Sequence, residues 1–401
     1  LRAAVVDGRL RNTLYRLEQL QKLHKVLAQD ADSIQTAIQN DSGCTAAEAR
    51  IEYSLALNSL RSRHQELDAD KALHDEYLVT NNHSAEHLRN GVGIVIIRAA
   101  SHTQFFSIVA PLSGALAAGN CIILELERNT RTVPETLKKA LEKALDKDIF
   151  AIVAEAVRDE KILASSVQVL QDIPGTTPRR DNQIVSLAAP TIAVVDRSAD
   201  FEATAKALVA ARFSFNGRSP FAPDLVLVNE FVKKDLVDAL IRHRVTLVEP
   251  GDVQRSASSR SKSFLSAIQN NHDAHLVTSD TRGAIVDVGA RSEALLHTKV
   301  AEPCLVIHSV KSLDDAIDFV NASKRISLAA AYYFGHASMA KYLCQFIDSQ
   351  VSYVNHIPSE LFVGPTFPIG QDIETGIRYP SKLFSIPSPA FAPPPPGSSD
   401  L

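Results

Sequence analysis

The chain has 401 residues, of which 45% are hydrophobic and 22% are charged, and its formal net charge is −4. This composition is typical of a folded globular protein and argues against a disordered one. No run of about 18 apolar residues suggests a membrane span, and no basic cluster indicates binding to nucleic acid or to anionic lipid. We therefore expect the ligand to be a small molecule or another protein.

The beginning of the chain is predicted to be helical. From Leu14 to Leu27 leucines recur every three or four positions, which places them on one face of a helix. Residues 1 to about 75 are therefore expected to be mostly helical. The polar stretch 76–90 contains short apolar pieces that could form an outlying hairpin.

Apolar runs that alternate with helical stretches fill the rest of the chain. This pattern predicts parallel sheets with helices on both faces. The runs fall into two groups, which indicates two such domains with a boundary near residue 197. The strands are predicted at Val92–Ile97, Cys121–Leu124, Phe150–Ala154, Ile192–Asp196, Leu225–Val228, Cys304–Ile307, Ala329–Phe334 and Val351–Asn355.

The cysteines and the tail add two smaller expectations. The prolines of residues 391–401 predict a surface arm or a disordered end. The cysteines are scattered and match neither a metal-ligand spacing nor a dense disulfide framework, so no metal and a reducing, cytoplasmic setting are expected. They are Cys44, Cys121, Cys304 and Cys344.

Four stretches carry a resemblance to a known family. The most specific is GVGIVIIRAASHTQFFSIVAPLSGALAAGNCIILELERNT, and it is followed in order by FSFNGRSPFAPDLVLVNEFV, VAEPCLVIHSVKSLDDAIDFVNA and SLAAAYYFG. Together they resemble aldehyde dehydrogenases, most of all the shorter class that includes the class 3 and fatty-aldehyde enzymes. The resemblance spans nearly the whole chain.

The resemblance implies an α/β fold of the aldehyde dehydrogenase type. Its parts would be a Rossmann-like cofactor domain, an α/β catalytic domain and a small oligomerisation arm through which a homodimer forms. The cofactor domain, degenerate here, would take residues 1–75 and 91–197, the catalytic-like domain 198–360, the arm 76–90 and 361–390, and the Pro-rich tail 391–401.

The residues that perform the family's chemistry are replaced. The family's G-Q-T-C-x-A-P-D loop stands here as GRSPFAPD, so that Pro220 takes the position of the nucleophilic cysteine and has no reactive side-chain atom. Ser186 stands where E-L-G-G-K supplies the general base, and a serine hydroxyl cannot take a proton near neutrality. His102 stands at the oxyanion-stabilising asparagine. The resemblance therefore implies a fold without the oxidation of aldehydes by NAD.

The cofactor contacts are replaced as well. Glu125 stands for the lysine that holds the adenosine ribose, Lys299 for the glutamate that holds the other ribose, and Ala301 for its neighbouring phenylalanine. Gly175 and Thr176 survive from the pyrophosphate segment. The stretch that follows is about eleven residues shorter than in the family, which removes about three turns of the phosphate-site helix. No cofactor is therefore expected.

Eight residues are candidates for a remaining site. We expect His102 as a general acid or base, and Arg218 and Ser219 as binders of a carbonyl or carboxylate. Each has a structural alternative, a polar loop position without chemistry. The candidate residues for substrate contact are Ser186, Phe221, Tyr353, Asn355 and His356, which have the same alternative.

Three functions remain open. The first is a repurposed enzyme of specialised-metabolite biosynthesis that cyclises, isomerises or dehydrates a hydrophobic small molecule without a cofactor. The second is a non-catalytic pseudoenzyme that binds a partner, and the third is residual NAD(P)-dependent aldehyde oxidation. An open apolar cavity with His102 and Arg218 inside it would favour the enzyme, whereas Phe105, Phe106 and Phe221 filling that space would favour the pseudoenzyme.

Overall fold

A computed structural model describes most of the chain. Three β-sheets, with helices packed against the two larger ones, make up the described part. The ranges that it describes are 1–78, 88–126, 130–175, 179–246, 273–280, 283–322, 327–374 and 376–388.

Helices cover the beginning of the chain, which confirms the prediction from its apolar periodicity. The helices of the described residues are α1 (Arg2–Asp7), α2 (Thr13–Gln29), α3 (Ala31–Ser42), α4 (Ala46–Glu66), α5 (Ala69–Glu76), α6 (Gln104–Ala117), α7 (Thr132–Ala144), α8 (Glu160–Ala164), α9 (Phe201–Phe213), α10 (Lys233–Thr246), α11 (Leu313–Ala322) and α12 (Ala337–Phe346).

The strands follow the predicted order, with six additions. They are β1 (Arg89–Gly91), β2 (Ile94–Arg98), β3 (Cys121–Glu125), β4 (Phe150–Val153), β5 (Ser166–Ile173), β6 (Gln183–Leu187), β7 (Thr191–Val195), β8 (Leu225–Asn229), β9 (Ala274–Asp280), β10 (Gly283–Val288), β11 (Cys304–Val310), β12 (Ala330–Phe334), β13 (Ser352–Val354) and β14 (Ser385–Pro387). All eight predicted strands exist; the strands that were not predicted are β1, β5, β6, β9, β10 and β14.

The first large sheet has five parallel strands in the order β4-β3-β2-β5-β6. The order reverses at β2, because β3 and β4 lie on one side of it and β5 and β6 on the other. In open α/β sheets ligands bind at such a reversal, outside the carboxyl ends of the strands. The loop that follows β2 contains His102 and lies at this end.

The second large sheet has seven strands in the order β13-β12-β7-β8-β11-β10-β9, and only β9 runs antiparallel to its neighbour. Its two faces are buried in separate apolar clusters. Helices α9 and α10 cover one face, and α11 and α12 cover the other. Since β7 pairs with β8 and β12, the chain passes between the sheets after Leu187, a few residues before the boundary expected near 197.

A third, two-stranded sheet joins distant parts of the chain. Strand β1 pairs antiparallel with β14, so residues 89–91 pair with the C-terminal region and not within the stretch 76–90. Most of the expected hairpin, at 79–87, lies outside the described residues, as does the tail 391–401. Within the described residues, every helix is too short or too polar to span a bilayer.

Candidate functional site

The loop Gly217–Asp224, which the resemblance assigns to the nucleophile, is hydrogen-bonded through its backbone to side chains of the surrounding protein. The Pro220 carbonyl accepts hydrogen bonds from Lys299 Nζ at 2.8 Å and from Thr191 Oγ1 at 3.1 Å. Gly217 has φ +68°, and a Cβ there would lie 2.6 Å from the Cα of Pro303, so the turn requires glycine. The loop is therefore held in place by hydrogen bonds and close packing with the residues around it.

Ser219 supplies the hydroxyl of this loop, and that hydroxyl is already bonded. Its Oγ donates to the Leu361 carbonyl at 3.2 Å and accepts from the Phe221 N–H at 3.3 Å. The side chain is buried, and a backbone carbonyl cannot take its proton as a base would. Ser219 therefore lacks the partner that would activate it as a nucleophile.

Ser186, at the position that the resemblance assigns to the general base, is also buried. The Ser186 hydroxyl is buried and lies 3.2 Å from the Tyr379 hydroxyl. Burial raises the pKa of Tyr379 to about 12. Neither hydroxyl can accept a proton near neutral pH, so this pair is structural.

A buried arginine from the C-terminal region fills the space beside the loop. The Arg378 guanidinium lies 4.7 Å from the ring centre of Phe221 and 4.3 Å from that of Phe367. It donates to the carbonyls of Pro365 at 2.8 Å and Val363 at 3.3 Å. Burial lowers the pKa of Arg378 to about 10, which leaves it charged at neutral pH. No local pattern in the sequence points to this residue, because its partners are distant in the chain.

His102 lies at the bottom of a narrow cleft. Its Nε2 bonds the Phe362 carbonyl at 2.9 Å and must be the donor, since a carbonyl only accepts. Burial, together with the smaller effects of the Arg218 and Arg378 charges, lowers the pKa of His102 to about 4, so the ring is neutral near pH 7. The cleft, called the His102 cleft below, is lined by Ile38, Asp41, Ser42, Cys44, Glu52, Ser101, His102, Thr103, Gln104, Arg131, Val133, Phe215 and Arg218.

The His102 cleft is too small for the hydrophobic substrate that we expected. Its cavity volume is about 30 Å³, whereas pockets for drug-sized ligands have about 300–1,000 Å³. Phe105, Phe106 and Phe221 are buried in the core, as the alternative of a filled tunnel requires. His102 and Arg218 do line the same cleft. That cleft is not the open apolar cavity that would favour the enzyme.

Glu52 is a buried acid in the same cleft that the sequence analysis missed. It is 1% exposed, and its Oε1 accepts from the Phe105 N–H at 3.0 Å and the Phe106 N–H at 3.3 Å at the start of α6. Burial raises the pKa of Glu52 to about 7. A signal existed, because Glu52 shares the apolar face of α4 with Ala49 and Ala56 at helical spacing.

The three candidates in and directly after β13 lie outside the His102 cleft. Tyr353 stacks on Tyr332 with ring centres 6.0 Å apart. Asn355, at φ +59°, exchanges two hydrogen bonds with the backbone of Gly335, at 2.8 and 2.9 Å. His356 is exposed and bonds the Val354 carbonyl. Their contacts are those of a strand end.

The family's ribose-binding positions are occupied by internal contacts. Glu125 pairs with Arg98 Nε at 2.6 Å and accepts from the Val157 N–H at 2.9 Å. Lys299, besides its bond to Pro220, pairs with Asp224 at 3.0 Å. Both side chains therefore make internal contacts at the positions that the resemblance assigns to ribose binding.

The phosphate side of the cofactor cleft is also altered. The described residues between β5 and β6 contain no helix, in agreement with the shortened stretch after Gly175. Gln171 closes the crevice where the strand order reverses, since its amide accepts from the Ala100 N–H at 2.8 Å and donates to the Ser107 carbonyl at 2.9 Å. In the described part of the chain no cluster of His, Cys, Asp and Glu could hold a metal ion.

Two large, mostly parallel sheets and a small two-stranded sheet, with a strand order that reverses at β2 before the loop of His102, define the class of α/β fold found in aldehyde dehydrogenases. The chain belongs to the aldehyde dehydrogenase family, whose sequence model matches residues 9–361. It is 26% identical over 372 residues to aldehyde dehydrogenase family 3 member B1 of Bos taurus, covering 84% of this chain and 77% of that protein.

Other proteins that are similar to this chain are also aldehyde dehydrogenases by name. A 4,4'-diaponeurosporen-aldehyde dehydrogenase of Staphylococcus aureus is 23% identical over 339 residues, or 77% of this chain and 73% of its own. Among solved structures, substrate-bound AldH of Staphylococcus aureus has a TM-score of 0.74 at 18% identity, covering 97% of this chain and 92% of its own. These structural likenesses establish the fold.

Proposed function

We propose that this chain has lost the NAD-dependent oxidation of aldehydes. The observation that carries the proposal is Pro220 at the nucleophile position, with its carbonyl bonded to Lys299. A covalent thiohemiacetal requires a thiolate there, and a proline ring offers no atom that can bond to the aldehyde carbon. Ser186 at the base position and Glu125 at a ribose position support the same conclusion.

Of the two remaining uses, a non-catalytic protein that binds a partner has the better support. Arg378, Phe221 and Phe367 fill the space beside the former nucleophile, and the His102 cleft has a cavity volume of about 30 Å³. Cyclisation or isomerisation of a hydrophobic molecule needs a pocket that encloses it. A protein that only binds a partner needs no such pocket, so the filled interior is compatible with that function.

A second candidate is a cofactor-independent enzyme that acts on a small polar molecule. One observation favours it: Glu52, with a pKa raised to about 7, and His102 line the same cleft. A carboxyl group with a pKa near the working pH suits proton transfer. The substrate would be smaller and more polar than the hydrophobic one expected from the sequence.

Separately from that partner, we propose that the chain forms a homodimer through the arm formed by β1 and β14. A sheet of two strands has unpaired edges, and Ile386 on β14 is 56% exposed. Size-exclusion chromatography with light scattering measures the molar mass of the protein in solution and tests this proposal. A monomer mass at about 10 μM would overturn it.

Calorimetric titration with NAD and NADP tests the loss of the cofactor site. We expect no heat of binding, with an active aldehyde dehydrogenase titrated in parallel as the positive control. Binding at about micromolar Kd would mean that Glu125 and Lys299 do not block the site, and would overturn this part of the proposal.

A further inference from the structure

The His102 cleft contains acceptor atoms that the chain itself leaves without donors. Gln104 Oε1 is buried and has no hydrogen-bond partner. Both hydrogen bonds of Glu52 fall on Oε1, so that Oε2 has no donor among the described residues. His102 uses Nε2 as its donor, which leaves Nδ1 as an acceptor. A buried acceptor without a partner is unfavourable, so Gln104 Oε1 indicates a ligand that donates hydrogen bonds there. Glu52 Oε2 and His102 Nδ1 offer two further acceptors in the lining of the same cleft.

A positive charge lies at the rim of the same cleft. Arg218 is exposed, and within the described residues its guanidinium has no carboxylate partner. Asp41, the other acid of the cleft, is already used, because its two oxygens accept from the N–H groups of Thr132 and Val133 at 2.7 Å. Arg131 and Cys44 complete the charged and titratable lining. A free guanidinium at the rim is suited to a carboxylate.

Apolar side chains form the remaining wall. Ile38, Val133 and Phe215 line the cleft next to its polar end. The enclosed volume of about 30 Å³ admits a group of the size of an ammonium, whereas the whole space, including the part open to solvent, is about 490 Å³. A ligand would therefore bury one small polar end and leave the rest against the apolar wall.

We propose that the His102 cleft binds an α-amino acid with an apolar side chain. Its ammonium donates to Glu52 Oε2, Gln104 Oε1 and His102 Nδ1, and its carboxylate pairs with Arg218 at the rim. A plain amine would place a second cation beside Arg218 without neutralising it, and a plain carboxylate would leave the acceptors unpaired. This site goes beyond the proposed function, since a chain without dehydrogenase activity could have it or lack it.

Calorimetry on the full chain with three matched compounds tests the site. L-leucine carries both groups, 3-methylbutylamine lacks the carboxylate, and 4-methylpentanoate lacks the ammonium. At about pH 8 Glu52 is mostly ionised, because its pKa is about 7. We expect leucine to bind at least about tenfold more tightly than either partial analogue. Equal binding of all three, or no heat with leucine up to about 10 mM, would overturn the proposal.

Substitutions in the cleft test whether leucine binds at the proposed site. Glu52→Gln keeps an acceptor for the start of α6 and should weaken leucine about tenfold or more. Arg218→Ala should weaken leucine but not 3-methylbutylamine. Arg180→Ala removes an exposed arginine outside the cleft lining and should change nothing. If Glu52→Gln does not fold, Gln104→Leu tests the same end of the cleft. Unchanged leucine binding in a folded Glu52→Gln or Gln104→Leu would place the ligand elsewhere and overturn the proposal.

Discussion

Lys299 Nζ donates a hydrogen bond to the carbonyl oxygen of Pro220 at 2.8 Å, which joins two positions that the resemblance assigns to ribose binding and to the nucleophile. The same ammonium pairs with Asp224 Oδ2 at 3.0 Å. Asp224 in turn accepts from the N–H groups of Thr191 and Val300 and lies 3.6 Å from the buried Arg212. Lys299 thus serves to hold the loop in the core.

Replacing this lysine should therefore destabilise the fold. Lys299→Met removes a charge-assisted hydrogen bond and one partner of the buried Asp224, and we expect a loss of about 1–3 kcal/mol in the free energy of unfolding. Urea denaturation measures it. Lys22→Met is the matched control, because Lys22 pairs with Glu18 on an exposed helix face and should change the free energy of unfolding by less than about 0.5 kcal/mol. Equal effects of the two changes would contradict the role given to Lys299.

Arg378 should be a second sensitive position. Arg378→Met keeps an apolar side chain between Phe221 and Phe367 but removes the hydrogen bonds to the carbonyls of Pro365 and Val363. We expect a loss of about 2–4 kcal/mol, because those carbonyls would stay buried without donors. Hydrogen exchange of residues 359–367 should accelerate in the variant. A variant as stable as the wild type would show that the segment packs without this cation.

Much of the fold could be predicted from short apolar runs and turn residues. Strands such as Cys121–Glu125 are continuous apolar runs, and Gly119 before it has φ +89° and approaches the Leu10 carbonyl, as the turn requires. Strand β5 was missed because its sequence, SVQVLQDI, carries glutamines on buried positions. The Gln171 side chain is buried with its hydrogen bonds made because partners distant in the chain, Ala100 and Ser107, bond its amide.

The candidate site was less predictable than the fold. The expectation that His102 and Arg218 share a cleft came from the resemblance, and the structure places both there. Ser219 and Ser186 instead bond Leu361 and Tyr379 in the core. What fills a cavity depends on side chains from the whole chain, so a single stretch of sequence could not reveal it.

The buried Glu52 should make stability fall as pH rises. Its pKa is about 7 in the folded chain against 4.5 in an unfolded one, so between those values the unfolded chain loses its proton first. Glu52→Gln removes this penalty. Relative to the wild type, the variant should gain stability from about pH 4.5 upward and hold a constant gain of about 3 kcal/mol above pH 7. A gain that does not vary with pH would contradict the raised pKa.

The buried His102 should make the stability of the fold decrease as the pH falls. Its pKa is about 4 in the folded chain against 6.5 when unfolded, so below pH 6.5 the unfolded chain binds a proton that the folded chain does not. The wild type therefore loses stability as the pH falls from 6.5 to 4, and His102→Gln should not share that loss. Urea midpoints of the two proteins across this range measure the difference, and parallel curves would show that the ring is not buried as a neutral group.

The oxidation of a series of aldehydes with NAD and NADP, followed by the absorbance of the reduced nicotinamide, tests the central claim most directly. We predict no reduced nicotinamide above the protein-free control, for the wild type and also for Pro220→Cys, because Ser186 cannot act as the base and Glu125 and Lys299 do not hold the cofactor. Steady formation of the carboxylic acid by the wild-type chain, at a rate proportional to its concentration, would contradict the account.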